Sequence, residues 1–140
     1  TSNFFQERYR HDGWALLCCT IMLNLTTGRA LEGAHEMFFK YFPDARAASE
    51  GDDELMRLIL QPLGMQNVRV RRIKAMSKDY LSWDGIDPVR LHGIGKYGSD
   101  SYRIFISGEL LEDVEDKELR RYVSWAKTRL PTQESPEDDR

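Results

Sequence analysis

Cysteine is nearly absent from these 140 residues: there are two, and they are neighbours, Cys18 and Cys19. Adjacent side chains on a helix point apart, so this pair is badly placed to bridge or to share a metal ion. Two thiols also fall short of the four that hold an iron–sulfur cluster. A reduced, intracellular setting fits such usage. Histidine is scarce too, and neither His35 nor His92 has a partner at metal-ligand spacing, so both read as structural and no metal or cofactor is expected. No apolar run has the ~20 residues of a membrane-spanning helix. The longest, Trp14 to Leu25, is broken by Thr20 and Asn24, so no membrane partner is expected. No secretory leader opens the chain, and its abrupt start is read as that of a domain from a longer protein. Alternating apolar and polar residues occur nowhere, which leaves an all-α domain.

Positive charge is not in excess either. The formal net charge is −3, whereas a nucleic-acid binder commonly carries a basic footprint. The distribution matters more than the sum. The segment Glu134 to Arg140 holds four acids and one base, so the remainder is neutral. Within it Arg69, Arg71, Arg72, Lys74 and Lys78 form a basic cluster on one predicted helix. A local stripe of this kind can bind phosphate on an acidic molecule, with modest non-specific affinity. The length suits one domain. It is expected to span residues 1–131, with 132–140 an acidic, disordered tail.

Eight or nine helices are expected. Ser2 to Tyr9 reads as a short helix and Asp12 as the N-cap of a buried one, Trp14 to Leu23. Asn24 to Gly28 reads as a loop. Helical spacing of apolar residues continues from Gly28 to Phe42. Short helices follow over Ala45–Ser49 and Glu54–Leu60, then a loop at Gln61–Met65. A long helix runs from Val68 to Trp83. Asp87-Pro88 opens a short one, Lys96–Ser107 forms the next, and the last extends from Asp116 to Leu130, where Pro131 stops it.

The stretch that carries most meaning is Leu91-His92-Gly93-Ile94-Gly95-Lys96-Tyr97-Gly98. Gly93 and Gly95 can take positive φ and bring bare amides close to an anion. The helix that follows adds its own free N–H groups, and together these can hold a phosphate. By itself a Gly-x-Gly turn between helices is ordinary punctuation. Some twenty residues on, Val114-Glu115-Asp116-Lys117-Glu118-Leu119-Arg120-Arg121 starts another helix behind a carboxylate. Helix capping alone could explain Asp116, and Glu112, Asp113, Glu115 and Glu118 compete with it.

The combination resembles the helix-hairpin-helix and aspartate of the DNA glycosylase superfamily. Leu91 to Phe105 is particularly similar to the glycosylase domain of the methyl-CpG-binding-domain mismatch thymine/uracil glycosylases. The likeness extends to Phe4-Phe5-Gln6-Glu7, His11-Asp12-x-Trp14, Leu23-Asn24-x-Thr26-x-Gly28, Pro62-Leu63-Gly64 and Tyr122-x-x-Trp125. It implies a helix-hairpin-helix glycosylase fold with helices around an active-site cleft, here without the iron–sulfur cluster many relatives carry.

The resemblance also assigns roles. Asp116 becomes the catalytic carboxylate, stabilising positive charge on the sugar and orienting or deprotonating water. Tyr97 stands where bifunctional members carry the lysine that forms a Schiff base. A phenol cannot do so, which implies base removal without strand cleavage. Lys96, one residue earlier, is expected to point elsewhere, near the hairpin phosphate. Gln6 and Tyr97 would line the base pocket, the amide offering a donor and an acceptor to a pyrimidine dione. Leu25, Thr26, Gly64 and Met65 lie in the loops that enter the duplex, where an apolar side chain fills the gap left by an extruded base. Leu25 replaces an arginine usual in the related proteins, which weakens the case for strict recognition of guanine opposite the lesion. Gly93, Gly95 and Lys96 would contact backbone phosphate. The implied partner is double-stranded DNA holding a mispaired or damaged base, met by a monomer in the nucleus. A glycosylase for another lesion, or a non-catalytic DNA-binding module of this fold, are the alternatives.

Overall fold

The computed structural model describes residues 4–23 and 28–129. These residues form eight α-helices and two 3₁₀ turns, and no strand occurs among them. The helices are α1 (Phe5–Arg8), α2 (Gly13–Met22), α3 (Gly28–Tyr41), α4 (Ala45–Ser49), α5 (Asp53–Leu60), α6 (Gln66–Leu81), α7 (Lys96–Phe105) and α8 (Lys117–Arg129). The 3₁₀ turns cover Gln61–Leu63 and Pro88–Arg90. The all-α expectation therefore holds. The first helix is shorter than its sequence suggested, and the opening helix of the hairpin is only a 3₁₀ turn. Leu25, Thr26 and the acidic tail lie outside the described residues.

Aspartate starts half of the α-helices. Asp12, Asp44 and Asp52 accept hydrogen bonds from the backbone N–H of Ala15, Ala47 and Leu55 at the heads of α2, α4 and α5. Asp87 does the same for Val89 in the second 3₁₀ turn. Each satisfies one of the donors that a helix start leaves open. The exceptions include α6, whose N-cap position is Met65, and α7, whose N-cap position is Gly95; neither has a side-chain cap.

The hub is α2. Trp14, Leu16, Leu17, Cys18, Cys19 and Met22 are all buried, so this helix is covered on every side. It packs against α6 and α7, while α4 and α5 lie on α6 and α3 lies on α5. Gly98 permits the close crossing of α2 and α7, since a Cβ there would meet Ile94 at 3.1 Å and Thr20 at 3.2 Å. Trp14 donates from its indole to Ser77 Oγ at 2.8 Å, which satisfies the one polar group it brings into the core. Phe38, fully buried on α3, packs with Trp14, Phe39 and Phe42. Among the described residues no helix is long and apolar enough to cross a membrane.

At the opposite end, α8 and α1 close the molecule through aromatic rings. Tyr122 packs on Phe105 at 4.5 Å and edge-on to Phe4 at 5.3 Å, and its hydroxyl donates to Glu7 at 2.9 Å. Burial and the adjacent Glu7 carboxylate push the Tyr122 phenol up to about 12. These contacts anchor the four-residue α1, which would not persist alone, and α1 carries Gln6.

Candidate active site

A cleft of about 920 Å³ opens between α1, the N-terminus of α7 and the N-terminus of α8. Phe4, Phe5 and Leu23 supply its apolar wall; Gln6, Tyr97 and Asp116 supply groups able to recognise or transform a bound molecule.

Gln6 is 1% exposed. Its side-chain NH₂ donates to Tyr97 Oη at 2.9 Å and to Ser101 Oγ at 3.3 Å. Its carbonyl oxygen is buried and has no hydrogen-bond partner. A buried acceptor left unpaired costs ~1–3 kcal/mol, so this oxygen is one that a hydrogen-bond donor would stabilise. Tyr97 is held by the same contacts. Burial raises its phenol pKa, and the nearby Asp116 charge adds to that rise, while the bonds to Gln6 and Ser101 oppose it. Sequence reasoning did not single out Ser101, whose role depends on a residue 95 positions away.

Asp116 caps α8: one carboxylate oxygen accepts from Leu119 N–H at 2.9 Å. It also faces the cleft and forms no ion pair among the described residues. Both readings of this residue, helix cap and cleft carboxylate, therefore apply at once. Glu112 and Asp113 do not line the cleft, whereas Glu115 and Glu118 do.

Lys96 departs from expectation. It lines the cleft together with Tyr97 rather than pointing elsewhere. Its ammonium bonds to Asp100 Oδ2 at 3.0 Å and to the Asp113 carbonyl at 2.6 Å. Asp100 is 4% exposed, and its carboxylate raises the Lys96 pKa. Proximity on the first turn of α7 explains the shared cleft, and the pairing keeps this amine protonated.

The hairpin residues sit at one edge. Gly93 has φ of 80°, a conformation that favours glycine. Gly95 does not share it: with φ −99° and ψ −160° it is extended, as any residue could be. A Cβ on Gly95 would meet nothing within 4 Å, so the fold itself does not demand glycine there. The cation packed against the turn is Arg72, whose side chain lies 3.5 Å from where a Gly93 Cβ would be.

On the neighbouring turn, Gly64 has φ of 79° and Met65 takes the left-handed conformation at φ 50°, leaving its side chain 63% exposed. An exposed methionine in a strained conformation is not a core anchor. The basic cluster needs correction in part. Arg71, Arg72 and Lys78 are exposed, but Arg69 is buried and bonds four backbone carbonyls. Lys74 bonds the Gly51 carbonyl at 2.7 Å and pairs with Asp53. Fixed internal partners take these two cations out of any phosphate-binding stripe. Among the described residues no cluster of three or more His, Cys, Asp or Glu could hold a metal ion.

Comparison with known proteins fits this arrangement. The chain is 36% identical over 106 residues to the Methyl-CpG-binding domain protein 4-like protein of Arabidopsis thaliana, covering 76% of this chain and 24% of that protein. It is 25% identical over 119 residues to the Thymine/uracil-DNA glycosylase of Pyrobaculum aerophilum, covering 80% of this chain and 51% of the relative. It is 27% identical over 67 residues to the Thymine-DNA glycosylase of Aeropyrum pernix, covering 48% of this chain and 30% of that one. The chain thus spans between about a quarter and a half of these relatives' lengths. No protein-family model matches it. The all-α fold with this hairpin, taken with these similarities to thymine/uracil-DNA glycosylases and to a methyl-CpG-binding domain protein, is consistent with the helix-hairpin-helix DNA glycosylase superfamily.

Proposed function

We propose that this domain is a monofunctional DNA glycosylase of the nucleus that extrudes thymine or uracil paired with guanine and hydrolyses its bond to the sugar. The observation that carries this reading is the meeting of Gln6, Tyr97 and Asp116 on one cleft, with the Gln6 carbonyl oxygen buried and unpaired. Thymine and uracil present an imide N–H between two carbonyls. That N–H would donate to Gln6 Oε1. Cytosine has an acceptor at the same ring position and would leave two acceptors opposed, which a buried site penalises. 5-Hydroxymethyluracil keeps the imide and fits the same rule.

In hydrolysis the C1′–N bond breaks with its electron pair leaving on the base, and positive charge grows on the sugar. The Asp116 carboxylate stabilises that charge and takes a proton from the water whose oxygen bonds to C1′; the departing base is protonated in turn. Four carboxylates (Asp100, Glu115, Asp116, Glu118) and two cations (Lys96, Arg121) line the cleft, which favours a developing cation and discourages phosphate from entering. Tyr97 offers no amine, and Lys96 is bound to Asp100, which supports release of the base without strand cleavage. Gly93, Gly95, the uncapped first turn of α7 and Arg72 would hold a phosphate outside the cleft. Leu25, Thr26, Gly64 and Met65 would enter the duplex.

The test is alkali treatment of G·T and G·U duplexes after incubation with excess protein. Strand breaks are expected only after alkali. Asp116→Asn is expected to lower the rate ~10²–10⁴-fold, while its melting point stays within a degree or two, because asparagine caps a helix as well as aspartate. Intact strands with the native protein, or an undiminished rate in the variant, would refute the proposal.

A further inference from the structure

Arg69 is 7% exposed, and no carboxylate pairs with it among the described residues. Its guanidinium instead donates to four backbone carbonyls: Nε to Ile21 at 3.2 Å, Nη2 to Leu23 at 3.1 Å, and Nη1 to Leu63 at 3.2 Å and to Gly64. The first two acceptors end α2. The other two end the α5–3₁₀ segment and lead into Met65. One side chain therefore ties together the C-terminal ends of two helical segments distant in sequence, where unsatisfied carbonyls and the negative end of the helix dipole favour a cation.

Burying a guanidinium without an anion is unfavourable, and burial together with neighbouring Arg72 lowers its pKa. Stability alone does not call for such a group when two ordinary glycine C-caps would satisfy the same carbonyls. The two segments it joins do share one location. Leu23 lines the cleft and leads to Leu25 and Thr26, while Gly64 precedes exposed Met65 in its strained conformation. We infer that Arg69 is a positioning residue: it clamps the end of α2 at the cleft wall to the turn that presents Met65, so that the Met65 wedge and the cleft wall act as a rigid pair. This rests on the glycosylase reading above and concerns extrusion of the base, not cleavage of its bond.

The experiment compares Arg69→Lys, which keeps the charge but not the four-carbonyl fork, with Met65→Ala and the double variant. A duplex with 2-aminopurine beside a G·U pair reports extrusion by fluorescence, and excision under enzyme excess reports the chemical step. Arg69→Lys is expected to slow extrusion by about tenfold to a hundredfold, with the later chemical step within about twofold of native. The double variant should be no slower than its slower parent by more than about twofold, as expected for residues acting through one device. Native extrusion in Arg69→Lys, a loss confined to the chemical step, or effects that multiply would each overturn the inference. Failure of the glycosylase reading would look different: the native protein would excise nothing. The clamp would still be read by amide hydrogen exchange, where Arg69→Lys should loosen Ile21–Leu23 and Leu63–Gln66 together. Loosening of one segment alone would sink it.

Discussion

Gln6 and His35 are both buried, and both leave polar atoms without hydrogen-bond partners. Their surroundings separate them. Gln6 lines the cleft, its side-chain nitrogen is committed to Tyr97 and Ser101, and its carbonyl oxygen is the acceptor left open. Replacing it by leucine removes that acceptor while keeping the bulk. Gln6→Leu is expected to lower kcat/KM for uracil and thymine by ~10–100-fold, the worth of one or two buried hydrogen bonds, and to narrow discrimination against cytosine. An unchanged uracil-to-cytosine ratio would argue that specificity lies elsewhere. His35 sits among the rings of Phe5, Tyr9 and Phe39 and does not line the cleft. Burial, aided by the charge of Arg8 and opposed by Glu32, lowers its pKa to about 4 from 6.5. The folded protein therefore prefers the neutral ring. The unfolded chain binds more protons between those two values, so this stability is full above pH 6.5 and is lost as pH falls toward 4, by about 3 kcal/mol in all. Urea midpoints measured from pH 7.5 to 4 should drop more steeply for the native protein than for His35→Phe. Parallel curves would contradict it.

Helices were the legible level of this chain. Apolar periodicity placed α2 through α8 to within a few residues, because each start is marked by an aspartate or a glycine turn. Asp12 was identified as a cap from sequence, and its bond to Ala15 is present. Gly95 was misjudged because a glycine in sequence does not reveal whether it serves a positive φ or an empty space beside it. Arg69 was misread as part of a basic face for a related reason. Its four acceptors are backbone carbonyls of two other segments, and no side-chain pattern announces them. Lys96 was expected to point away from Tyr97, yet the helix begins at Lys96, where the opening turn lets both reach the cleft. The pairing of Tyr122 with Glu7 and Phe4 was hidden by a separation of more than a hundred residues, although both segments had been noticed for their resemblance. Asp116 is the element-scale lesson: the bond to Leu119 orients one carboxylate oxygen, so the helix start and the proposed chemistry are served by a single group.

At the scale of the molecule, charge is the unusual property. A net −3 domain is proposed to act on a polyanion, with four of its acids lining the cleft and four more in residues 134–140. Arg71, Arg72 and Lys78 are exposed cations on α6. Ending the chain after Pro131 removes four acids and one base and brings the formal charge to zero. The shortened protein is expected to bind duplex DNA several-fold more tightly at ~50 mM salt, with the difference gone by ~0.5 M, where screening reaches only a few ångströms. Equal affinities at low salt would show that the acidic segment has no bearing on association.

The hub helix adds one practical consequence. Cys18 and Cys19 are both fully enclosed, and burial raises both thiol pKa values well above the ordinary range. A thiol-reactive dye meets neither sulfur until α2 leaves its neighbours. Labelling kinetics of the unaltered chain should therefore act as a clock for global opening, and any DNA that binds the folded form will slow that clock.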